Sequence, residues 1–180
     1  DLEHHNDELK RYIEAKESEI RKKRIEINKH ISDNGVYLLH HDVVRQEEFK
    51  NATGIYVDYK QNLAYISGHR TKLSASSNFY LKLSARYAMF FSSLQLDSMK
   101  YPRLMFTDNI EDKGIDSGRA KNLQLVIVNR LKELAEAKDS HPSYQLIFAT
   151  SYINEELDKP EYTIGDFYTP DNKSLKNVDF

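Results

Sequence analysis

The residues with the clearest chemical potential begin with an aspartate that follows a short apolar run. Leu104–Thr107 is followed directly by Asp108 and Asn109. Ligands bind outside the carboxyl ends of parallel strands, so an aspartate at this place is typical of the residue that holds Mg²⁺ beside nucleotide phosphates. The same pattern also fits a loop residue or a helix N-cap after any buried strand. Its interpretation therefore depends on the neighbouring segments.

A serine-rich segment upstream is the second candidate. It consists of Leu73, Ser74, Ala75, Ser76 and Ser77. An amphipathic helix is predicted directly after it, over residues 78–96, from apolar side chains spaced three or four apart. Small residues at a helix start offer a hydroxyl and free backbone N–H groups to an anion. The alternative is that a serine here only caps the helix.

Further polar residues follow Asp108 along the chain. Glu111, Asp112 and Asp116 precede a second amphipathic helix, predicted over residues 117–137. Ser151 follows a second apolar run, residues 145–150. The stretch containing Glu111 and Asp112 also fits a solvated turn.

The elements that would position these residues predict an α/β fold. Two apolar runs, residues 104–107 and 145–150, read as strands buried on both faces, and the helix between them predicts a parallel pair. Residues 55–59 and 63–66 predict a hairpin. We also expect short strand-forming runs at 36–39 and 43–44, and a final short strand over 162–169.

The N-terminal segment predicts a long charged helix. Ile13, Ile20 and Ile27 recur every seven residues, with Leu9 four before the first, which is the spacing of a coiled-coil seam. A charged surface helix with one apolar stripe is the alternative. Polar residues 32–35, ending in Gly35, are expected to stop the helix.

The order of these segments resembles the C-terminal lobe of the ATPase head of SMC-like proteins, the coiled-coil branch of ABC-type ATPases. That order is signature loop, helix, Walker B strand, D-loop, helix and switch strand, with a coiled coil entering first. The resemblance spans most of residues 9–170. It implies an α/β lobe with a parallel-strand core in residues 33–180, and the end of a coiled-coil helix in residues 1–32.

The resemblance also assigns residues. In the signature-like segment only Leu73 and Ser74 match the family motif, and Arg86 lies where the next helix often carries arginine. Asp108 matches the Walker B aspartate, which contacts Mg²⁺ through water. The nucleotide-binding residues implied in this way are Leu73, Ser74, Ala75, Ser76, Ser77, Asp108, Asp116 (D-loop) and Ser151 (switch position).

Two departures from the family bear on catalysis. Asn109 stands where the family carries its catalytic glutamate, and an amide cannot accept a proton from water at neutral pH. Glu111 or Asp112 is the available substitute, so the catalytic candidates are Asn109 and Glu111, and we expect slow hydrolysis. No G-x-x-x-x-G-K-[ST] motif occurs in the 180 residues, so the isolated chain is expected to bind ATP poorly.

The resemblance implies an assembly. ATP and Mg²⁺ would bind only in a head completed by an N-terminal P-loop lobe, from the same protein or a partner chain. Two such heads would sandwich ATP as a homodimer and drive a clamp on DNA, in repair, chromosome maintenance or phage defence.

Composition and charge limit the classes of function that this chain can have. The formal net charge of −2 gives no basic excess, and the chain has no cysteine for disulfides or thiolate zinc sites. No stretch is apolar enough to predict a membrane span, and we expect a cytoplasmic protein. The sequence begins at Asp1, without an initiator Met and without the pattern of a signal peptide, so we expect a trimmed end or a fragment boundary there.

Other functions fit parts of the same sequence. The chain can be a non-catalytic scaffold derived from such a head, which recruits a partner through its helix. It can also be an unrelated α/β enzyme with Asp108, Glu111 and Asp112 as metal ligands. The twelve tyrosines suit stacking on single-stranded nucleic acid or, more simply, the edges of a core. The adjacent histidine pairs do not predict a metal site.

Overall fold

The computed structural model describes residues 2–43, 46–68, 73–137, 143–165, 168, 169 and 171. Within these ranges the chain is a mixed α/β protein with four α-helices and two small two-stranded sheets. The elements are α1 (Leu2–His40), α2 (Glu47–Lys50), β1 (Ile55–Asp58), β2 (Leu63–Ile66), α3 (Ala75–Gln95), β3 (Leu104–Asp108), a 3₁₀ turn (Ile110–Lys113), α4 (Ser117–Glu136) and β4 (Gln145–Ala149).

The long helix α1 has two different halves. Nearly every side chain from Leu2 to Glu26 is exposed, including Ile13 and Ile20 of the apolar stripe. From Ile27 onward α1 packs on the rest of the protein, chiefly on α3. The projecting half is therefore uncovered by the described residues, while the other half is part of the core.

The expected end of this helix at residues 32–35 is wrong, and so is the strand expected at 36–39. α1 continues to His40 because the polar stretch makes tertiary contacts instead of a cap. A Cβ built on Gly35 would lie 2.1 Å from Cδ1 of Ile55, so glycine allows β1 to pack directly on the helix. Ser32 Oγ accepts a hydrogen bond from the backbone N–H of Ile55 at 3.1 Å. In the next expected run, Val43 lies in a turn and Val44 lies outside the described residues.

The predicted hairpin is confirmed. β1 and β2 pair antiparallel, with Ile55 opposite Ile66 and Tyr56 opposite Tyr65. Asp58 Oδ1 accepts hydrogen bonds from the backbone N–H groups of Lys60 and Gln61, which stabilises the turn. Ile55 and Ile66 point into the core, so the hairpin covers one side of α1 and α3.

The parallel pair predicted from the strand–helix–strand order is also confirmed. β3 and β4 pair in parallel, with Phe106 opposite Ile147 and Asp108 opposite Ala149. Their inner face packs on α3, where the Tyr87 hydroxyl is 2.5 Å from Thr107 Oγ1 and the Tyr87 ring stacks on Phe148. This sheet therefore rests on one helical layer.

The outer face of the same sheet corrects a second expectation. β3 and β4 were expected to be buried on both faces, yet the side chains of Leu104 and Phe106 are 56% and 61% exposed. Ile147, beside Phe106 on β4, is 39% exposed. Within the described ranges, no further strand pairs with β3 or β4 and nothing covers this face.

Two smaller findings complete the fold. The final strand expected over 162–169 is wrong for its described residues, which form a turn at Tyr162, a bend at Gly165 and otherwise irregular backbone. In the described part of the chain, no helix is both long and apolar enough to cross a bilayer.

Candidate functional site

The serine-rich segment lies at the start of α3. The helix begins at Ala75, earlier than predicted, so only Leu73 and Ser74 precede it, and Ala75, Ser76 and Ser77 form its first turn. Ser74 is the N-cap, and its Oγ accepts a hydrogen bond from the backbone N–H of Ser77 at 3.2 Å. The capping role considered as an alternative is therefore present.

The serines of this segment differ in their exposure to solvent. Ser77 is fully buried, and its Oγ accepts a hydrogen bond from Gln46 Nε2 at 2.5 Å. Ser74 is exposed, and its hydroxyl is 3.2 Å from that of Ser76. Because the first N–H groups of an α-helix lack intrahelical partners, this end of α3 offers donors to an anion. The hydrogen bond between Ser77 and Gln46 holds this end of α3, and therefore these N–H groups, in place.

The segment after the 3₁₀ turn lies beside these serines. Gly114 has a φ of 80°, and a Cβ built on it would be 3.9 Å from Cβ of Ser76. Asp116 is the N-cap of α4, and its Oδ1 accepts a hydrogen bond from the backbone N–H of Arg119 at 3.0 Å. The fold thus brings the signature-like and D-loop-like segments together, although they are distant in sequence.

Asp108 occupies the carboxyl end of β3. Its side chain is exposed and lies on the same face of the sheet as Leu104 and Phe106, because side chains alternate along a strand. Asn109 is also exposed, and its backbone is left-handed, with φ 38° and ψ 62°. The chain therefore turns sharply straight after Asp108.

Glu111 lies against the end of β4. Its Oε1 accepts a hydrogen bond from the Thr150 hydroxyl. Thr150 Oγ1 also accepts a hydrogen bond from Gln124 Nε2 at 3.3 Å, and the same Gln124 nitrogen donates to the Tyr152 carbonyl at 2.8 Å. Glu111 is thus tied to the C-terminal end of β4 and, through Gln124, to α4.

The other predicted residues make fewer contacts. Ser151 is exposed, and its neighbour Thr150 is the residue that contacts the acidic segment. Sequence reasoning missed Thr150 and Gln124. A threonine at the end of an apolar run was visible, but nothing local pairs it with Glu111. Arg86 is exposed on α3, and Asp112 is exposed in the 3₁₀ turn.

The side chains near the site can be compared with the ligands that a bound metal ion requires. In the ranges that the structure describes, no three His, Asp or Glu side chains are grouped to bind a metal. Glu111 is directed to Thr150 while Asp108 lies on the outer face, so these acids do not converge as the independent metal enzyme would require. The single exposed carboxylate of Asp108 fits a water-mediated contact to Mg²⁺ that is already bound to phosphates.

The chain matches no protein-family model, and no curated protein has a sequence significantly similar to it.

Proposed function

We propose that this chain is the C-terminal lobe of an SMC-like ATPase head and that it becomes an ATPase only when a P-loop lobe completes it. The observation that carries the proposal is the β3–β4 sheet. It is parallel, its outer face exposes Leu104, Phe106 and Ile147, and Asp108 stands at its carboxyl end.

This sheet has the properties of part of a larger one. Parallel sheets are normally covered on both faces and contain more than two strands. Within the described residues no third strand pairs with either edge, and the outer face lacks a covering layer. A P-loop lobe supplies strands, a covering helix and the phosphate cradle that this sequence lacks. It is therefore the occupant we assign to this face.

The arrangement of the loops supports a second interface. Ser74 and the first turn of α3 lie beside Gly114, close to the D-loop-like Asp116. In the proposed head this surface meets ATP held by a second head. There Ser74 and the exposed end of α3 would bind the γ-phosphate of that ATP, whereas Asp108 would contact, through water, the Mg²⁺ of the ATP held by its own P-loop lobe. The metal would neutralise phosphate charge.

The projecting half of α1 supports the coiled-coil part of the proposal. Ile13 and Ile20 are exposed at heptad spacing, and the same row continues through Ile27 into the core. A partner helix on this stripe would connect the head to the coiled coil. In the proposed machine, ATP binding closes two heads and this helix transmits the closure to a clamp on DNA.

The first test is the size and composition of the native protein that contains this segment. We expect its intact mass and N-terminal sequence to reveal a P-loop lobe and a coiled coil ahead of Asp1, or a separate P-loop chain that co-purifies. The completed protein should bind and hydrolyse ATP, whereas the isolated 180 residues should not bind it. Asp108→Ala should weaken Mg²⁺-dependent ATP binding in the completed protein.

The scaffold alternative gives the opposite results. A native product with no P-loop lobe and no P-loop partner, or a completed protein that never binds ATP, would exclude the ATPase proposal. In the scaffold case, partner capture through the projecting half of α1 would be unaffected by ATP and by Asp108→Ala.

A further inference from the structure

The projecting half of α1 carries a row of exposed side chains with the spacing of a coiled-coil seam. At one position of the seven-residue repeat the row holds Ile13 and Ile20, which are 53% and 56% exposed. At the other position the row begins with leucines, and Lys16 and Lys23 follow them nearer the core. These are the a and d positions of a heptad. The two lysines therefore restrict which helix can cover this face.

The two lysines disfavour a parallel second copy of the helix. In a parallel pair of identical helices each d residue faces its own counterpart, so Lys16 would lie against Lys16 and Lys23 against Lys23. Both lysines share one carboxylate, since their Nζ atoms lie 3.1 and 2.7 Å from the side-chain oxygens of Glu19. One acidic residue for two lysines leaves excess positive charge on each seam, so two such seams repel each other when parallel.

The charged residues beside the seam favour an antiparallel second copy. The e positions that flank the row are exposed and alternate in sign along the helix, as Glu3, Lys10, Glu17 and Arg24. In an antiparallel pair the e positions of the two helices face each other, and their charges set partner choice and orientation. Reversing the order places Glu3 opposite Arg24 of the second copy and Lys10 opposite Glu17. The helix is thus complementary in charge to its own reversed copy.

The same charges select one register for the antiparallel pair. A slip of one heptad in one direction would place Glu3 opposite Glu17 and Lys10 opposite Lys10. A slip in the other direction would place Lys10 opposite Arg24 and Glu17 opposite Glu17. Like charges in facing positions destabilise helix pairs and so exclude wrong alignments. Opposite charges therefore meet at every e position only in the register with Glu3 opposite Arg24.

The seam residues fit this register as well. Ile20 faces Leu9 of the second copy, and Lys16 faces Ile13 of the second copy. The aliphatic stem of Lys16 covers that isoleucine while its ammonium group stays in water. Because the pair has a two-fold axis, each of these contacts occurs twice. The apolar contacts supply the attraction, and the flanking charges supply direction and register.

Independently of the proposed ATPase function, we propose that the projecting half of α1 pairs antiparallel with the same half of a second copy of this chain. The pairing covers residues 2–26, which the described part of the chain leaves exposed. The globular parts of the two copies then lie at opposite ends of the paired helices. The contact is therefore separate from ATP-dependent pairing of heads, and it forms without nucleotide.

The light-scattering mass of the 180-residue chain, measured without ATP over a range of concentrations, tests the pairing. We expect a concentration-dependent change from monomer to dimer. Lys10→Glu puts like charges at both of its contacts with Glu17 and should weaken the dimer roughly tenfold. Arg11→Glu makes the same charge change on the side of the helix away from the seam and should leave the dimer unchanged. A chain that stays monomeric, or equal effects of the two variants, would overturn the inference.

Mixing two variants tests the antiparallel register directly. Glu17→Lys alone should weaken the dimer as Lys10→Glu does, because it places lysines opposite each other. A mixture of the two variant chains restores opposite charges at both contacts, so it should form a dimer about as stable as wild type. A mixture that stays monomeric would refute the register. Loss of this dimer would leave the ATPase proposal standing, and a completed protein that binds no ATP would leave the dimer standing.

Discussion

Arg119 and Asp42 form a buried bidentate ion pair that joins the end of α1 to the first turn of α4. Arg119 Nε and Nη2 lie 2.8 and 2.6 Å from the two carboxylate oxygens of Asp42, and the Arg119 side chain is only 2% exposed. The guanidinium also lies over the ring of Tyr80 on α3, 4.2 Å from its centroid. The segment that follows α1 is therefore fixed to α3 and to the first turn of α4, whose N-cap is Asp116.

The first prediction concerns this pair. Asp42→Asn should lower the free energy of unfolding by about 3 kcal/mol, because breaking a buried pair leaves the other charge uncompensated. Denaturant unfolding of the isolated chain measures the change. Glu19→Gln is the control, since Glu19 pairs with Lys23 on the exposed half of α1 at 2.7 Å. Its unfolding curve should overlay that of wild type, and equal losses in the two variants would contradict the prediction.

The second prediction is a loss of stability at alkaline pH. Burial, with a hydrogen bond to Glu133, raises the pKa of Tyr37 to about 12, and burial raises the pKa values of Tyr80 and Tyr87 still further. Unfolded tyrosine has a pKa of about 10. The neutral form is thus favoured in the folded state, so this stability is fully present below about pH 10 and declines as pH rises toward 12.

Urea unfolding midpoints at a series of alkaline pH values measure this decline. Tyr37→Phe removes one of the three groups, so its midpoint should fall less steeply with pH than that of wild type. Tyr87→Phe should act in the same direction, after an offset at neutral pH from the lost contact with Thr107. Midpoints that stay constant well above pH 10 would show that these hydroxyls ionise without unfolding the protein.

The sequence predicted those parts of the fold that local patterns determine. The hairpin, α3, α4 and the parallel pair followed from periodicity and element order, and the cap at Ser74 followed from a local preference of serine for helix starts. The end of α1 did not, because Gly35 serves the close approach of Ile55 from another element. Sequence alone does not distinguish a glycine that ends a helix from a glycine that allows another element to pack closely on the helix.

The candidate site was predictable in its types of residue but not in its contacts. Asp108 and Glu111 were both identified, yet Glu111 pairs with a threonine 39 residues away, which no local pattern indicates. The left-handed backbone of Asn109 was equally hidden, because its sequence position suggested a lost catalytic group. The exposure of Phe106 could not be predicted either, since an apolar strand predicts burial whether or not another layer covers its outer face.

The third prediction separates the capping role of Ser74 from the phosphate-binding role proposed for it. Ser74→Ala removes the cap and should lower the free energy of unfolding by about 1 kcal/mol. Ser74→Asp is also a good cap and should keep nearly wild-type stability, but it places a negative charge where a phosphate is proposed to bind. In the intact protein, Ser74→Asp should abolish ATP-dependent pairing of heads in light-scattering measurements of mass. Pairing that survives Ser74→Asp would restrict Ser74 to capping.

The last prediction concerns the outer face of the β3–β4 sheet. Phe106→Glu should change the stability of the isolated chain by less than about 0.5 kcal/mol, because Phe106 is 61% exposed and loses little packing. The same change should abolish co-purification with the completing P-loop lobe, since a charge cannot be buried there unpaired. Tyr56→Glu is the matched control on the hairpin, where the ring is 59% exposed. If both variants retain the lobe, the sheet face is not the surface on which it docks.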